Sequence, residues 1–173
     1  NLIRPADVVE TAEAWDVALK TNGPTVLALS RQGLKAYRSE KTNKNLVSCG
    51  GYILNNISKD RDITLISTGS EIEIAMEASE IMYKEGVKAT VVSLPCWELF
   101  DKQSEEYKNQ VLGNCPRIAI EAASEMGWSK YIGEKGIFIG MKSFGASGPA
   151  LDLYNHFNIT SKSIIDSAKL LLR

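Results

Sequence analysis

The chain has 173 residues, 44% of them apolar, which suits one compact domain, alone or with a remnant of another, and excludes disordered and fibrous classes. Twenty basic against 21 acidic residues leave a formal charge of −1, so no global cationic field exists to hold nucleic acid or an anionic membrane. Cys49, Cys96 and Cys115 show no C-x-x-C spacing and the chain has one histidine, which argues against structural zinc and for a reducing, cytoplasmic compartment. No apolar run has the length of a transmembrane helix. The N-terminus Asn1-Leu2-Ile3-Arg4-Pro5 lacks a signal-peptide layout and an initiator Met, so the chain is expected to begin inside a longer protein.

In chain order, Val8, Ala12, Trp15 and Leu19 recur at helical spacing on one face and predict an amphipathic helix from Asp7 to Lys20. Asp7 with Glu10 three residues on forms a capping box, and Asn22-Gly23-Pro24 ends the helix. Thr25 to Leu29 reads as a short strand buried on both faces, so residues 1 to about 30 look like the tail of another α/β domain. Arg31, Lys35, Arg38, Lys41 and Lys44 against the single acid Glu40 form a cationic connector, either an arm for a polyanion or a solvated linker. The boundary is placed at 45, giving units 1–45 and 46–173.

Beyond it, strands are predicted at Gly51–Leu54, Ile63–Ser67, Ala89–Leu94, Ile118–Ile120 and Ile137–Met141. Helices are predicted at Glu71–Lys84, at Gln103–Leu112, after Pro149 and around Ile164–Leu172. This alternation implies a three-layer α/β/α domain with a mostly parallel sheet of about five strands.

Ligands of open parallel sheets bind beyond the carboxyl ends of the strands, so those ends supply the candidates. Thr68-Gly69-Ser70-Glu71 opens a helix and offers backbone N–H groups to an anion, or is an ordinary capped start. Glu121 and Glu125 supply carboxylates for a general base, or face solvent. Phe144 to Pro149 is a glycine-rich turn with no nucleophile and base side by side, and capping accounts for it. His156 has no triad partner nearby, and Cys96 beside Trp97 reads as a packed free thiol. Arg31 directly follows a strand end, where its planar fork would suit a phosphate; a linker cation is the equal alternative.

Several segments together resemble the transketolase family. Arg4-Pro5-Ala6-Asp7 leading to Trp15, Gly23-Pro24-Thr25 running to Leu29-Ser30-Arg31-Gln32, and Gly50-Gly51-Tyr52 resemble the end of that family's pyrimidine-binding domain and its exit linker. Ser67-Thr68-Gly69-Ser70-Glu71, Gly86-Val87-Lys88-Ala89, Val92 to Pro95, Phe100-Asp101-Lys102-Gln103, Gly140-Met141 and Phe144 to Ser147 resemble its C-terminal domain. The resemblance covers essentially the whole chain in order, and it implies that the first strand of the C-terminal sheet runs antiparallel. It also implies, for an intact homodimeric parent, transfer of a two-carbon ketol unit between sugar phosphates, with thiamine diphosphate as electron sink and a divalent cation, Mg or Ca. The family's activating glutamate, metal ligands and histidines lie upstream of the matched part, so no catalytic, cofactor or metal residue is carried over and none of these groups is expected to bind this piece. Arg31 alone corresponds to a substrate-contacting residue, the arginine that grips the sugar phosphate. Dihydroxyacetone synthase shares the architecture. A reading of another class is a non-catalytic module for anion or effector binding or for dimer assembly.

Overall fold

The computed structural model describes residues 1–38, 44–55 and 60–173. Glu40 and Lys41 of the cationic connector lie outside the described residues. The short strand β1 (Leu2–Ile3) precedes helix α1 (Val8–Lys20) and strand β2 (Val26–Leu27). A 3-10 turn at Val47–Cys49 then leads into the main body. There β3 (Tyr52–Ile53), β4 (Ile63–Ser67), α2 (Ile72–Lys84), β5 (Ala89–Ser93), α3 (Trp97–Asp101), α4 (Glu105–Leu112), β6 (Arg117–Glu121), α5 (Ser129–Ile132), β7 (Ile137–Gly140), α6 (Ala150–His156) and α7 (Ser161–Leu171) follow one another.

Five strands form one sheet in the order β3-β5-β4-β6-β7. β3 runs antiparallel to β5 and the remaining pairs are parallel, which agrees with the predicted three-layer architecture and the direction of its first strand. The central strands β4 and β5 are buried at every position because helices cover both faces, so their sequences, ITLIS and ATVVS, do not alternate. Ile63, Leu65, Val91, Ile118 and Ile120 point to the face covered by α2 and α7, through Ile72, Ala75, Met82 and Ile164. Ile66, Val92 and Ala119 point to the other face, where Phe100, Val111, Leu112, Trp128 and Tyr131 close over them. Each fully buried aliphatic or aromatic side chain contributes roughly 1.5 to 3 kcal/mol, so the two layers of contacts hold the sheet on both sides. α3 and α5 have no counterpart in the sequence reading; at five and four residues they are too short to show a helical period.

The N-terminal part departs from expectation in two ways. The apolar stripe of α1 faces outward: Val8 is 70%, Trp15 53% and Leu19 82% exposed, and Ala12 is exposed as well. The buried side is instead Glu10, Ala14 and Val17. Ala14 and Val17 pack with Ile3, Val47 and Cys96 in a third small core. The segment expected to be a strand buried on both faces shortens to β2, which among the described residues pairs with β1 alone and leaves Val26 59% and Leu29 54% exposed. An apolar run states that a surface wants cover. It does not state that cover is present.

Candidate functional site

The chain leaves β4 through α2 toward β5 on one side, whereas it leaves β6 through α5 toward β7 on the other. The adjacent carboxyl ends of β4 and β6 therefore form the sheet's topological switch point, the crevice where doubly wound domains place ligands. A cavity of about 270 Å³ lies there, lined by Arg4, Thr68, Trp97, Glu98, Glu121 and Trp128 among others.

Glu121, the last residue of β6, is 3% exposed. One of its oxygens accepts the indole N–H of Trp128 at 2.7 Å, the other the Thr68 hydroxyl at 3.2 Å, and the Arg4 guanidinium pairs with the same carboxylate. Neither candidate role assigned from sequence survives. The side chain does not face solvent, and with three donors on its two oxygens it is not poised as a general base. Glu125 is exposed, in agreement with the solvent-facing alternative. Glu71, also buried, takes the hydroxyls of Ser70 at 2.7 Å and Tyr154 at 2.6 Å on one oxygen and the Ala122 N–H at 3.2 Å on the other. Burial first, then the Glu71 carboxylate, pushes the Tyr154 phenol above its ordinary range, so it remains a donor.

This carboxylate, together with the donation of the Gly69 N–H to the Arg4 carbonyl at 3.1 Å, leaves the 69–71 turn unsuited to an anion.

A second polar cluster joins the first helix to the sheet. The Asp7 carboxylate accepts the Glu10 N–H at 2.8 Å, as the capping box predicts, but Glu10 reaches back to the Ala6 N–H at 2.6 Å rather than to that of the cap residue. The other Glu10 oxygen accepts the hydroxyls of Tyr52 and Ser93, each at 2.6 Å. Burial raises the Glu10 pKa, and the three donated hydrogen bonds oppose that rise. Next to it, the Arg38 fork bonds Glu13 at 2.7 Å through both terminal nitrogens and its guanidinium lies 5.2 Å from the centre of the Tyr52 ring. Residues 31–38 thus cross back over α1. A cleft of about 520 Å³ under them is lined by Lys35 and Tyr37 and by the acidic residues Glu73, Glu77 and Glu80 of α2. Those carboxylates oppose a polyanion there, and with burial as the larger cause they push the Tyr37 phenol up to about 12.

The remaining candidates are simpler. Arg31 is exposed. His156 is exposed and stands edge-on to Phe157 at 4.8 Å. Cys96 is buried, and desolvation pushes its thiol up to about 11, which removes it as a nucleophile near neutral pH. Phe144 is 98% exposed in the loop after β7. Among the described residues no group of three or more His, Cys, Asp or Glu is placed to hold a metal ion, and no helix is long and apolar enough to cross a membrane. Sequence reasoning assigned no part at the switch point to Arg4 and none at the helix-to-sheet cluster to Tyr52 or Ser93. They come from segments far apart in the chain, and no local spacing signals that they meet.

The fold and the switch-point crevice define a doubly wound α/β domain with one antiparallel edge strand. The model of the transketolase-like TK C-terminal domain matches residues 50–160, and the chain belongs to that family. It is 51% identical to the transketolase of Sinorhizobium medicae over all of this chain and 25% of that protein. It is 48% identical to the chloroplastic transketolase-1 of Arabidopsis thaliana over 97% of this chain and 23% of that one. Among solved structures, transketolase from Leishmania mexicana superposes with a TM-score of 0.87 at 36% identity, covering 99% of this chain and 25% of its own. Pichia stipitis transketolase in complex with sedoheptulose-7-phosphate gives 0.87 at 39%, with the same coverage. The chain thus spans about a quarter of the length of the relatives it matches.

Proposed function

We propose that the chain is the C-terminal portion of a transketolase, residues 1–45 closing the pyrimidine-binding domain and its linker and residues 46–173 forming the C-terminal domain. The observation that carries this reading is the likeness to transketolases over the whole length of the chain. In the intact cytoplasmic homodimer the activity is transfer of a two-carbon ketol unit between sugar phosphates, in line with the sugar-phosphate complex of the Pichia stipitis relative. Thiamine diphosphate and a divalent cation supply the carbanion chemistry of that family. The described residues do not fit the metal ion, since no set of carboxylate, histidine or thiolate donors converges on one point. The reading assigns the cradle for the cofactor and its metal to parts of the parent outside this chain.

Arg31 is the residue of this portion that grips the substrate phosphate. Its exposure in the chain as described supports the reading, because an exposed guanidinium is available to an anion. The exposed stripe of Val8, Trp15 and Leu19, and the exposed Val26 and Leu29, favour an assembly role as well. Its occupant is the rest of a transketolase-length polypeptide, the three quarters of the relatives that this chain does not span. The test has two arms. Calorimetric titration of the 173-residue chain with thiamine diphosphate and magnesium is expected to show no tight binding, and a tight complex would overturn the placement of the cofactor site. In the full-length enzyme Arg31→Ala is expected to lower kcat/KM for phosphorylated substrates roughly 10- to 100-fold and to change it little for unphosphorylated ones. Equal losses for both would overturn the role of Arg31.

A further inference from the structure

We propose that the mouth of the switch-point crevice of the C-terminal sheet is a guanidinium-recognition site, occupied in cis by Arg4, and that the domain uses it to hold the preceding segment in place of a small-molecule effector. The crevice lies where this topology presents a ligand site, and the group found in it belongs to the chain itself. The Arg4 backbone is pinned on both sides: its N–H donates to the Pro95 carbonyl at 2.9 Å and its carbonyl accepts the Gly69 N–H at 3.1 Å. The Leu2 N–H reaches the Glu98 carboxylate at 3.3 Å, and Ile3 between them is fully buried.

The acceptor is preorganised. Trp128, itself fully buried, and Thr68 fix the Glu121 carboxylate from two directions, and the Arg4 guanidinium meets it at the mouth of the cavity. A planar cation suits this acceptor, and an anionic effector does not, because Glu98 and Glu121 put two carboxylates on the cavity wall against one guanidinium. The attachment is reciprocated a few residues on: Glu10 takes the Tyr52 and Ser93 hydroxyls from the sheet. One carboxylate of the sheet receives a cation of the segment, and one carboxylate of the segment receives two hydroxyls of the sheet. The segment so clamped carries α1 and, beyond it, Arg31. The inference goes beyond ketol transfer and does not depend on it, and its test has no activity readout.

The experiment is chemical rescue. Arg4→Ala is expected to lower the melting midpoint of the chain by about 5 °C, because the Arg4 side chain is part-exposed while the carboxylate it leaves behind is buried. Methylguanidinium at about 10 mM is expected to restore part of that loss, while methylammonium at the same concentration does not. The double variant Arg4→Ala with Glu121→Gln and the unmodified chain are expected to show no such gain. Rescue equal in all three proteins, or absent from Arg4→Ala, overturns the proposal. Should Arg4→Ala fail to fold, Glu121→Gln alone decides, since its amide oxygen still accepts the Trp128 N–H. The Gly69 and Arg4 amides are then expected to exchange with solvent at least 10-fold faster while the Leu65 amide in β4 is unchanged, and unaltered exchange at Gly69 overturns the proposal. Binding of inorganic phosphate to the unmodified chain at this crevice, followed by perturbation of the Trp128 indole N–H in NMR spectra, also overturns it.

Discussion

Replacing Tyr52 by Phe removes one oxygen and nothing else from the junction between the first helix and the sheet. The lost hydroxyl lies 2.6 Å from Glu10, a carboxylate only 1% exposed, so no water replaces the missing donor. Burial, followed by the neighbouring carboxylate, pushes the Tyr52 phenol far above its ordinary range, which keeps it protonated and donating at every accessible pH. Leaving a buried acceptor short of a donor costs about 1 to 3 kcal/mol, and the loss is expected near 2 kcal/mol because Ser93 and the Ala6 N–H still serve the Glu10 oxygens. For 173 residues that corresponds to a fall of about 5 °C in melting midpoint. The ring keeps its packing and its contact with Arg38, so the change isolates the hydroxyl. Urea denaturation at pH 7, followed by tryptophan fluorescence with and without Glu10→Gln, is the assay. A loss below about 0.5 kcal/mol, or the same loss in the Glu10→Gln background, would refute the assignment of Glu10 as the acceptor that matters.

Glu10 also sets a pH dependence. Its pKa is raised in the folded state, so from about 4.5 upward the native state holds more protons than the unfolded one and stability falls as pH rises toward the raised value. Denaturation series above pH 4.5 are expected to show this downward slope in the unmodified chain relative to Glu10→Gln, and parallel profiles would contradict it. Gly50 adopts φ 76°, and a Cβ there would overlap the Phe100 nitrogen and the Cys96 carbonyl oxygen. Gly50→Ala is therefore expected to cost more than about 3 kcal/mol or to prevent folding, measured by chemical denaturation or soluble yield. Trp15→Ser with Leu19→Ser on the outward stripe of α1 is expected to change stability by less than about 0.5 kcal/mol and to reduce self-association of the chain in sedimentation velocity.

What the sequence by itself determined were the features written into neighbouring residues. The short, β-rich, non-alternating runs of β4 and β5 and the periods of α2 and α7 are properties of a few consecutive side chains, and so are the Asp7 cap and the break at Gly86. Order and length then led to a covered parallel sheet, because helices between short apolar strands leave almost no other topology. Tertiary structure alone decided which way α1 turns. Val8, Trp15 and Leu19 form an apolar stripe at helical spacing, yet Glu10 goes inward because Tyr52 and Ser93, 42 and 83 residues away, supply its donors. The same holds at the switch point, where Arg4 meets Glu121 across more than a hundred residues of chain. A buried charge is stable only beside its partners, and the distance that matters to it is through space.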